Sequence, residues 1–308
     1  KRKRTKTSHQ TADVKPALPV IAAPPYPDLQ RPDIVVIQAE SFFDARRLNQ
    51  AIPRELLSHL DEICNEANYY GRLTVPAWGA NTMRTEFEFL SGLPNETLGY
   101  DRFNPYLSLG KRPVWTIAHT LRLLGYRTIC IHPFEAKFFD RDIVFPNLGF
   151  DRFIDVTEFN NAQRFGPYIS DLAVAAKIES LLNENNEPQF IFAITMENHG
   201  KWEIGRLQTT LPDSASLSPL ELYLRHLANT NKVILKLRDH LQRHPREAVF
   251  CLYGDHVPSL PADFERNGYT DERTDYFIWR RGSKGGQNLN TTSDVLHRLV
   301  LKTALTPT

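Results

Sequence analysis

Five short, unbroken apolar runs constrain this chain more than any other feature. They are Ile34-Val35-Val36-Ile37, Thr128–His132, Gln189–Thr195, Ala248–Tyr253 and Tyr276–Trp279. Unbroken runs of this length suit strands covered on both faces, as in a parallel sheet. A strand with one wet face would alternate apolar and polar residues. Between the runs lie segments with helical apolar spacing, over 53–69, 83–91, 113–124, 170–184, 219–243 and 292–302. Strand followed by helix, repeated, predicts an α/β fold with a mainly parallel central sheet flanked by helices.

The chain has 308 residues, 41% hydrophobic and 24% charged, which supports one large core. Residues 1–30 are polar and then Pro-rich (Pro16, Pro19, Pro24, Pro25, Pro27), and read as a linker or surface arm. Residues 31–308 read as a single domain. The net charge of +1 argues against a general nucleic-acid binder. No run of about 18 apolar residues is present, so no segment here is expected to span a membrane. The chain opens on Lys1-Arg2-Lys3-Arg4, without Met or an apolar leader segment. It therefore reads as a fragment, with a membrane anchor expected in the missing N-terminal part. Cys130 and Cys251 sit inside apolar runs and are expected as buried thiols, while Cys64 lies on an amphipathic segment. No Cys-x-x-Cys occurs, which disfavours a zinc knuckle or a redox motif.

In open α/β sheets, ligands sit beyond the carboxyl ends of the strands. Four such ends carry reactive side chains here: Glu40, His132, Glu197-Asn198-His199 and Asp255-His256. Their convergence on one edge suggests a metal or acid/base site. In Tyr253-Gly254-Asp255-His256, a carboxylate oxygen and an imidazole nitrogen can reach one cation, a donor set suited to zinc or manganese. The plainer reading is a turn Asp and a surface His. Glu40 is costly to bury unless paired or metal-bound, and its plainer partner is Arg46 or Arg47. Thr82 follows the small-residue turn Gly79-Ala80-Asn81 and precedes Met83, Phe87 and Leu90, spaced as one helix face. A helix start presents free N–H groups and favours negative charge, so a hydroxyl there adjoins an anion site. The plainer role is an N-cap, with Thr85 or Glu86 completing a capping box. A metal beside that hydroxyl favours its alkoxide.

Five motifs occur in order: Q-A-E-S-F, G-A-N-T-M-R-T-E-F, H-P-F-E-A-K-F-F-D-R-D with N-L-G-F-D-R-F, M-E-N-H-G, and Y-G-D-H. With this set, from about Pro32 to about Arg281, the chain resembles the alkaline-phosphatase/sulfatase superfamily. Within it, the resemblance is to lipoteichoic-acid-synthase-like and periplasmic-glucan phosphoglycerol transferases. It implies the sulfatase-like three-layer sandwich. It also implies that Glu40, Thr82, Asp255 and His256 hold one divalent metal, usually manganese, with zinc or magnesium as alternatives. Thr82 matches the nucleophile, and Arg141 the arginine that holds the phosphate. His132 and His199 match pocket histidines, with His199 or His132 as proton donor. Phe139 stands where the synthases carry tryptophan, which leaves the donor head group open. The formylglycine sulfatase motif C-x-P-x-R is absent, so sulfatase activity is not expected.

The resemblance implies a phospholipid donor, phosphatidylglycerol, and transfer through a glycerophosphoryl-Thr82 intermediate to a glycan hydroxyl. It implies a site on the extracytoplasmic, periplasmic face of the bacterial inner membrane. Phosphoethanolamine transfer or phosphodiester hydrolysis on the same scaffold is the alternative chemistry. A metal-free lipid-binding or signalling module is the non-enzymatic alternative. Read without the family, Arg141 is a surface partner of Asp140 or Asp142, His132 a satisfied core histidine, and His199 part of a turn. Trp78 and Trp202 read as core or as a lipid or sugar path. Lys201 and Arg84 read as solvated or as secondary phosphate contacts.

Overall fold

The computed structural model describes residues 31–109, 114–184 and 186–306. The arm read at 1–30 and the start of the helix read at 113–124 lie outside the described residues. The strands are β1 (Asp33–Ala39), β2 (Tyr69–Thr74), β3 (Arg127–Ile131), β4 (Arg152–Ile154), β5 (Arg164–Phe165), β6 (Tyr168–Ile169), β7 (Gln189–Ile194), β8 (Ala248–Gly254), β9 (Thr274–Arg280), β10 (Gln287–Asn288) and β11 (Thr291–Thr292). The helices are α1 (Ser58–Glu66), α2 (Thr82–Ser91), α3 (Pro105–Leu109), α4 (Ile117–Leu123), α5 (Arg141–Asn147), α6 (Asp171–Glu184), α7 (Pro219–Arg243), α8 (Pro261–Arg266) and α9 (Ser293–Leu305).

One nine-stranded sheet runs β10-β2-β9-β8-β1-β7-β3-β4, with β11 also on β2. The strands β8, β1, β7, β3 and β4 are mutually parallel. β9 is antiparallel to both β8 and β2. β5 and β6 form a separate hairpin. β1 shows why the apolar runs are unbroken. Val35, Ile37 and Ala39 enter one core, with Leu60, Ile178 and Leu237 from α1, α6 and α7. Ile34 and Val36 enter the other, with Phe87, Leu121, Val144 and Val300 from α2, α4, α5 and α9. Alternate residues of a strand face opposite ways, so a sheet between two helical layers needs apolar side chains at every position. The three-layer sandwich expected from the sequence is present.

Helix α7 occupies 219–243 as read, and its start carries a capping box between Ser218 and Glu221. The segment read as one helix over 53–69 is different. After a short 3-10 turn, α1 ends at Glu66 and β2 begins at Tyr69. Asn68 makes the change: its N–H donates to Ile278 O (2.8 Å) and its side chain accepts from Arg280 N (2.9 Å). A partner strand distant in sequence thus overrides the local helical pattern. Cys130 and Cys251 are buried and Cys64 half-buried. Among the described residues, no helix is long and apolar enough to cross a membrane.

Candidate active site

The parallel strands bring their carboxyl ends to one edge in the order β8, β1, β7, β3. Ala39 pairs with Gly254 in register, so Glu40 and Asp255 leave the sheet side by side. Gly254 is required here, because a Cβ would run into the Phe42 carbonyl oxygen. His256 follows directly. Ligand atoms of Glu40, Asp255 and His256 lie within 4.8 Å of one another, and all three residues are buried. His256 Nε2 stands 3.4 Å from both Glu40 Oε1 and Asp255 Oδ2.

Each member of this set is aimed by its surroundings. Asp255 Oδ1 accepts from the N–H groups of Ser41 and His256, both at 2.8 Å. Ser41 Oγ donates to Glu40 Oε1 (2.9 Å). His256 Nδ1 lies 3.0 Å from Val257 O. A carbonyl only accepts, so Nδ1 carries a proton, and in the neutral ring Nε2 keeps its lone pair for a cation. Asp255 Oδ2 is buried and, beyond His256 Nε2 at 3.4 Å, has no hydrogen-bond partner. A buried carboxylate oxygen left alone is costly, and a cation would satisfy it. The donor set of two carboxylates and one imidazole therefore fits a divalent metal. Arg46 turns instead to Asp44 and Asp61 (2.8 and 2.6 Å), and Arg47 to Asp275 (2.7 Å). The plainer pairing of Glu40 with either arginine is corrected by these contacts.

Thr82 is the first residue of α2, and its hydroxyl donates to Glu40 Oε2 at 3.3 Å. It is not the cap. Asn81 holds that position in a left-handed conformation (φ 69°), without a side-chain capping bond. Thr85 donates to Asp255 O (2.7 Å) and Glu86 pairs with Arg141, so no capping box forms. The hydroxyl is thereby turned toward the carboxylates rather than onto its own backbone.

A cavity of about 860 Å³ opens over this cluster. Glu40, Thr82, His132, Phe139, Arg141, His199 and His256 all line it, with Lys201 and Trp202. Arg141 is buried, and its Nη2 donates to Glu86 Oε2 at 3.0 Å rather than to Asp140 or Asp142. Glu86 Oε1 in turn accepts from the Tyr106 hydroxyl. The Arg141 guanidinium lies over the Phe139 ring at 5.4 Å. Its Nε is buried without a partner, as is His132 Nε2. Burial and the charge of Arg141 hold His132 well below the usual histidine range, so the ring is neutral at pH 7. His199 is exposed to the cavity, with Nδ1 2.8 Å from Gly200 O.

Other readings divide. Trp202 is buried, and its indole N–H donates to Asn198 Oδ1 (3.0 Å). Trp78 packs edge-on against Phe264. Arg84 forks onto Asn95 Oδ1 (2.8 and 3.2 Å), not onto the site. Glu197 does not reach the cavity, and is held by α6 and α7. Sequence reasoning missed Glu86 and Tyr106 as the support of Arg141. The one available signal was that Glu86 lies one helical turn after Thr82.

Protonation sets a testable condition on metal binding. Burial, then the Glu40 charge, pushes the Asp255 carboxyl up to about 7. Burial alone would lower His256, but Asp255 and Glu40 outweigh it and raise it. Both groups hold protons more tightly when folded. Their stabilisation of the metal-free chain is present at low pH and is lost as pH rises toward and past 7. A cation must displace those protons. The rise in melting temperature on adding Mn²⁺ is therefore expected to be small at about pH 5 and large at about pH 8. A rise that is equal at the two pH values would remove the metal assignment.

The three-layer sandwich, with its site at the parallel strand ends, is of the alkaline-phosphatase/sulfatase type. The family model described as Sulfatase matches residues 32–305, and the chain belongs to that family. It is 34% identical over 252 residues to the capsular polysaccharide biosynthesis protein RkpI of Rhizobium meliloti (strain 1021), covering 81% of this chain and 45% of that protein. It is 29% identical over 247 residues to a putative cyclic beta-1,2-glucan modification protein of the same organism, covering 78% of this chain and 38% of that protein. The chain thus spans under half the length of these relatives. Among solved structures, it is similar to the Streptococcus pyogenes phosphoglycerol transferase GacH in complex with sn-glycerol-1-phosphate. The TM-score is 0.73 and the identity 25%, over 88% of this chain and 74% of that one.

Proposed function

We propose that this sulfatase-family chain is the catalytic domain of a metal-dependent phosphoglycerol transferase. It takes a glycerophosphoryl group from phosphatidylglycerol onto Thr82 and delivers it to a glycan hydroxyl. One observation carries the reading. The Thr82 hydroxyl, at a helix start, donates to Glu40 next to Asp255 Oδ2, which has no hydrogen-bond partner, beside a cavity that also holds His132 Nε2 and Arg141 Nε, likewise without hydrogen bonds. Similarity to a phosphoglycerol transferase and to polysaccharide-related relatives supports the donor and acceptor classes. The placement that goes with such substrates is extracytoplasmic, at the membrane that supplies the lipid.

Glu40, Thr82, Asp255 and His256 would hold one divalent ion, manganese by the family resemblance. Such an ion favours the alkoxide form of a hydroxyl and offsets phosphate charge. The chain's own residues do the rest. Arg141, fixed by Glu86, presents guanidinium N–H groups to the phosphoryl oxygens. Neutral His132 donates or accepts one hydrogen bond at the head group. Thr82 gives its proton to the Glu40 carboxylate that accepts its hydrogen bond, its Oγ attacks phosphorus, the bond to the diacylglycerol oxygen breaks, and His199 gives that oxygen a proton. In the second step the acceptor hydroxyl gives its proton back to His199 and attacks phosphorus. The bond to Thr82 then breaks, and Thr82 takes its proton back from Glu40.

Intact-protein and peptide mass spectrometry test this directly. Incubation with phosphatidylglycerol and Mn²⁺, without acceptor, is expected to leave a glycerophosphoryl adduct on Thr82. An adduct with phosphatidylethanolamine alone would move the donor to phosphoethanolamine, the reading that Phe139 keeps open. No adduct with any phospholipid, and no lipid cleavage, would remove the transferase reading.

A further inference from the structure

The loop after β7 carries His199 and Lys201 into the cavity, yet neither is held there by the metal cluster. What holds the loop lies behind it. Glu197 is fully buried and accepts from Asp171 N at the start of α6 (2.8 Å) and from Asn229 Nδ2 on α7 (2.9 Å). It also pairs with His226 Nδ1 at 3.1 Å. The other nitrogen of that buried ring, His226 Nε2, lies 3.1 Å from Arg206 Nε. Arginine can only donate, so His226 Nε2 must accept. Its proton then sits on Nδ1 and is given to Glu197. The ring is neutral: burial, with the Arg206 charge, holds it down to about 3.

Arg206 uses its remaining nitrogens on the loop itself. Nη1 donates to Lys201 O (2.7 Å) and Nη2 to Glu197 O (3.1 Å). Its guanidinium lies over the Tyr168 ring at 5.5 Å, and Tyr168 meets the His199 ring edge-on at 5.8 Å. We propose that the buried Glu197 and His226 and the half-buried Arg206 form a positioning relay that fixes the His199 and Lys201 edge of the cavity, with Arg206 as the clamp. None of the three lines the cavity, so each acts through the loop and not on substrate. The inference rests on the proposed role of His199, and it assigns to Glu197 a supporting part where its strand-end position suggested chemistry.

The test uses the chain with Mn²⁺ and phosphatidylglycerol in detergent micelles, reading diacylglycerol release. Arg206→Met is expected to lower kcat about ten-fold or more, since small misplacements of a reacting group cost that much. KM should change much less, and Mn²⁺ affinity should be unchanged. His226→Gln keeps one donor toward Glu197 and one acceptor toward Arg206, and is expected to retain most turnover. In a His199→Ala background, Arg206→Met is expected to add almost nothing, because the two act as a unit. Full turnover in Arg206→Met, or a loss that simply adds to that of His199→Ala, would overturn the relay. Histidine ring NMR spectra need no turnover. The His199 signals are expected to move in Arg206→Met and to stay near their wild-type positions in His226→Gln. Unmoved His199 signals in Arg206→Met overturn the inference even if no phospholipid is cleaved, an outcome that by itself would instead sink the transferase reading.

Discussion

Replacing Thr82 with Ala is expected to abolish transfer, by on the order of 10⁴-fold or more, as for other covalent nucleophiles. The fold should survive. The hydroxyl makes one 3.3 Å bond to Glu40 and does not cap α2, so its loss costs about 1 kcal/mol or less. Alanine is also the better helix former at the position. Glu40, Asp255 and His256 remain, so Mn²⁺ should still raise the melting temperature. Thr82→Ser keeps a hydroxyl at the helix start and should retain part of the activity and form the same adduct. The measurement is diacylglycerol release beside thermal unfolding with and without Mn²⁺. Wild-type turnover in Thr82→Ala would end the nucleophile assignment; loss of folding would show that the hydroxyl's role is structural.

Arg141→Ala is expected to damage both stability and activity. Arg141 and Glu86 are both buried, 1% and 0% exposed. Removing one partner of such a pair strands the other charge in a low-dielectric interior, at about 3–5 kcal/mol. The Tyr106 hydroxyl bond to Glu86 offsets only part of that. Transfer should fall as well, because the N–H groups that Arg141 is proposed to offer the phosphate are gone. A second variant separates the two effects. In Arg141→Met with Glu86→Gln, no charge is buried and the Tyr106 hydroxyl still finds an oxygen. Its stability, measured by chemical denaturation, should return to within about 1–2 kcal/mol of wild type. Its turnover should stay low. Recovery of both would reduce Arg141 to a structural residue.

Much of this architecture is legible in the chain itself. Val35 and Val36 must face opposite ways on a strand, and both are apolar, so both faces of β1 had to be covered. The same logic marks β3, β7 and β8, and Ser218 with Glu221 marks the start of α7. Other parts were not legible. β2 is half-exposed, its first residue Tyr69 ends the amphipathic helical pattern read over 53–69, and only pairing with β9 decides it. Arg141 sits between Asp140 and Asp142 in sequence, and nothing local points to Glu86, 55 residues away.

The sequence by itself determined which strand ends carry Glu40, His132, His199, Asp255 and His256, because apolar runs and the polar residues that end them are local facts. It also determined that Thr82 opens a helix. Only the tertiary structure decided which of these side chains meet and which are left without partners. The β1–β8 register puts Glu40 beside Asp255, and the left-handed Asn81 frees the Thr82 hydroxyl to face them. Helices α6 and α7 draw Glu197 out of the site and into the support of His199. Burial and hydrogen-bond satisfaction belong to the packed whole, and no window of sequence contains them.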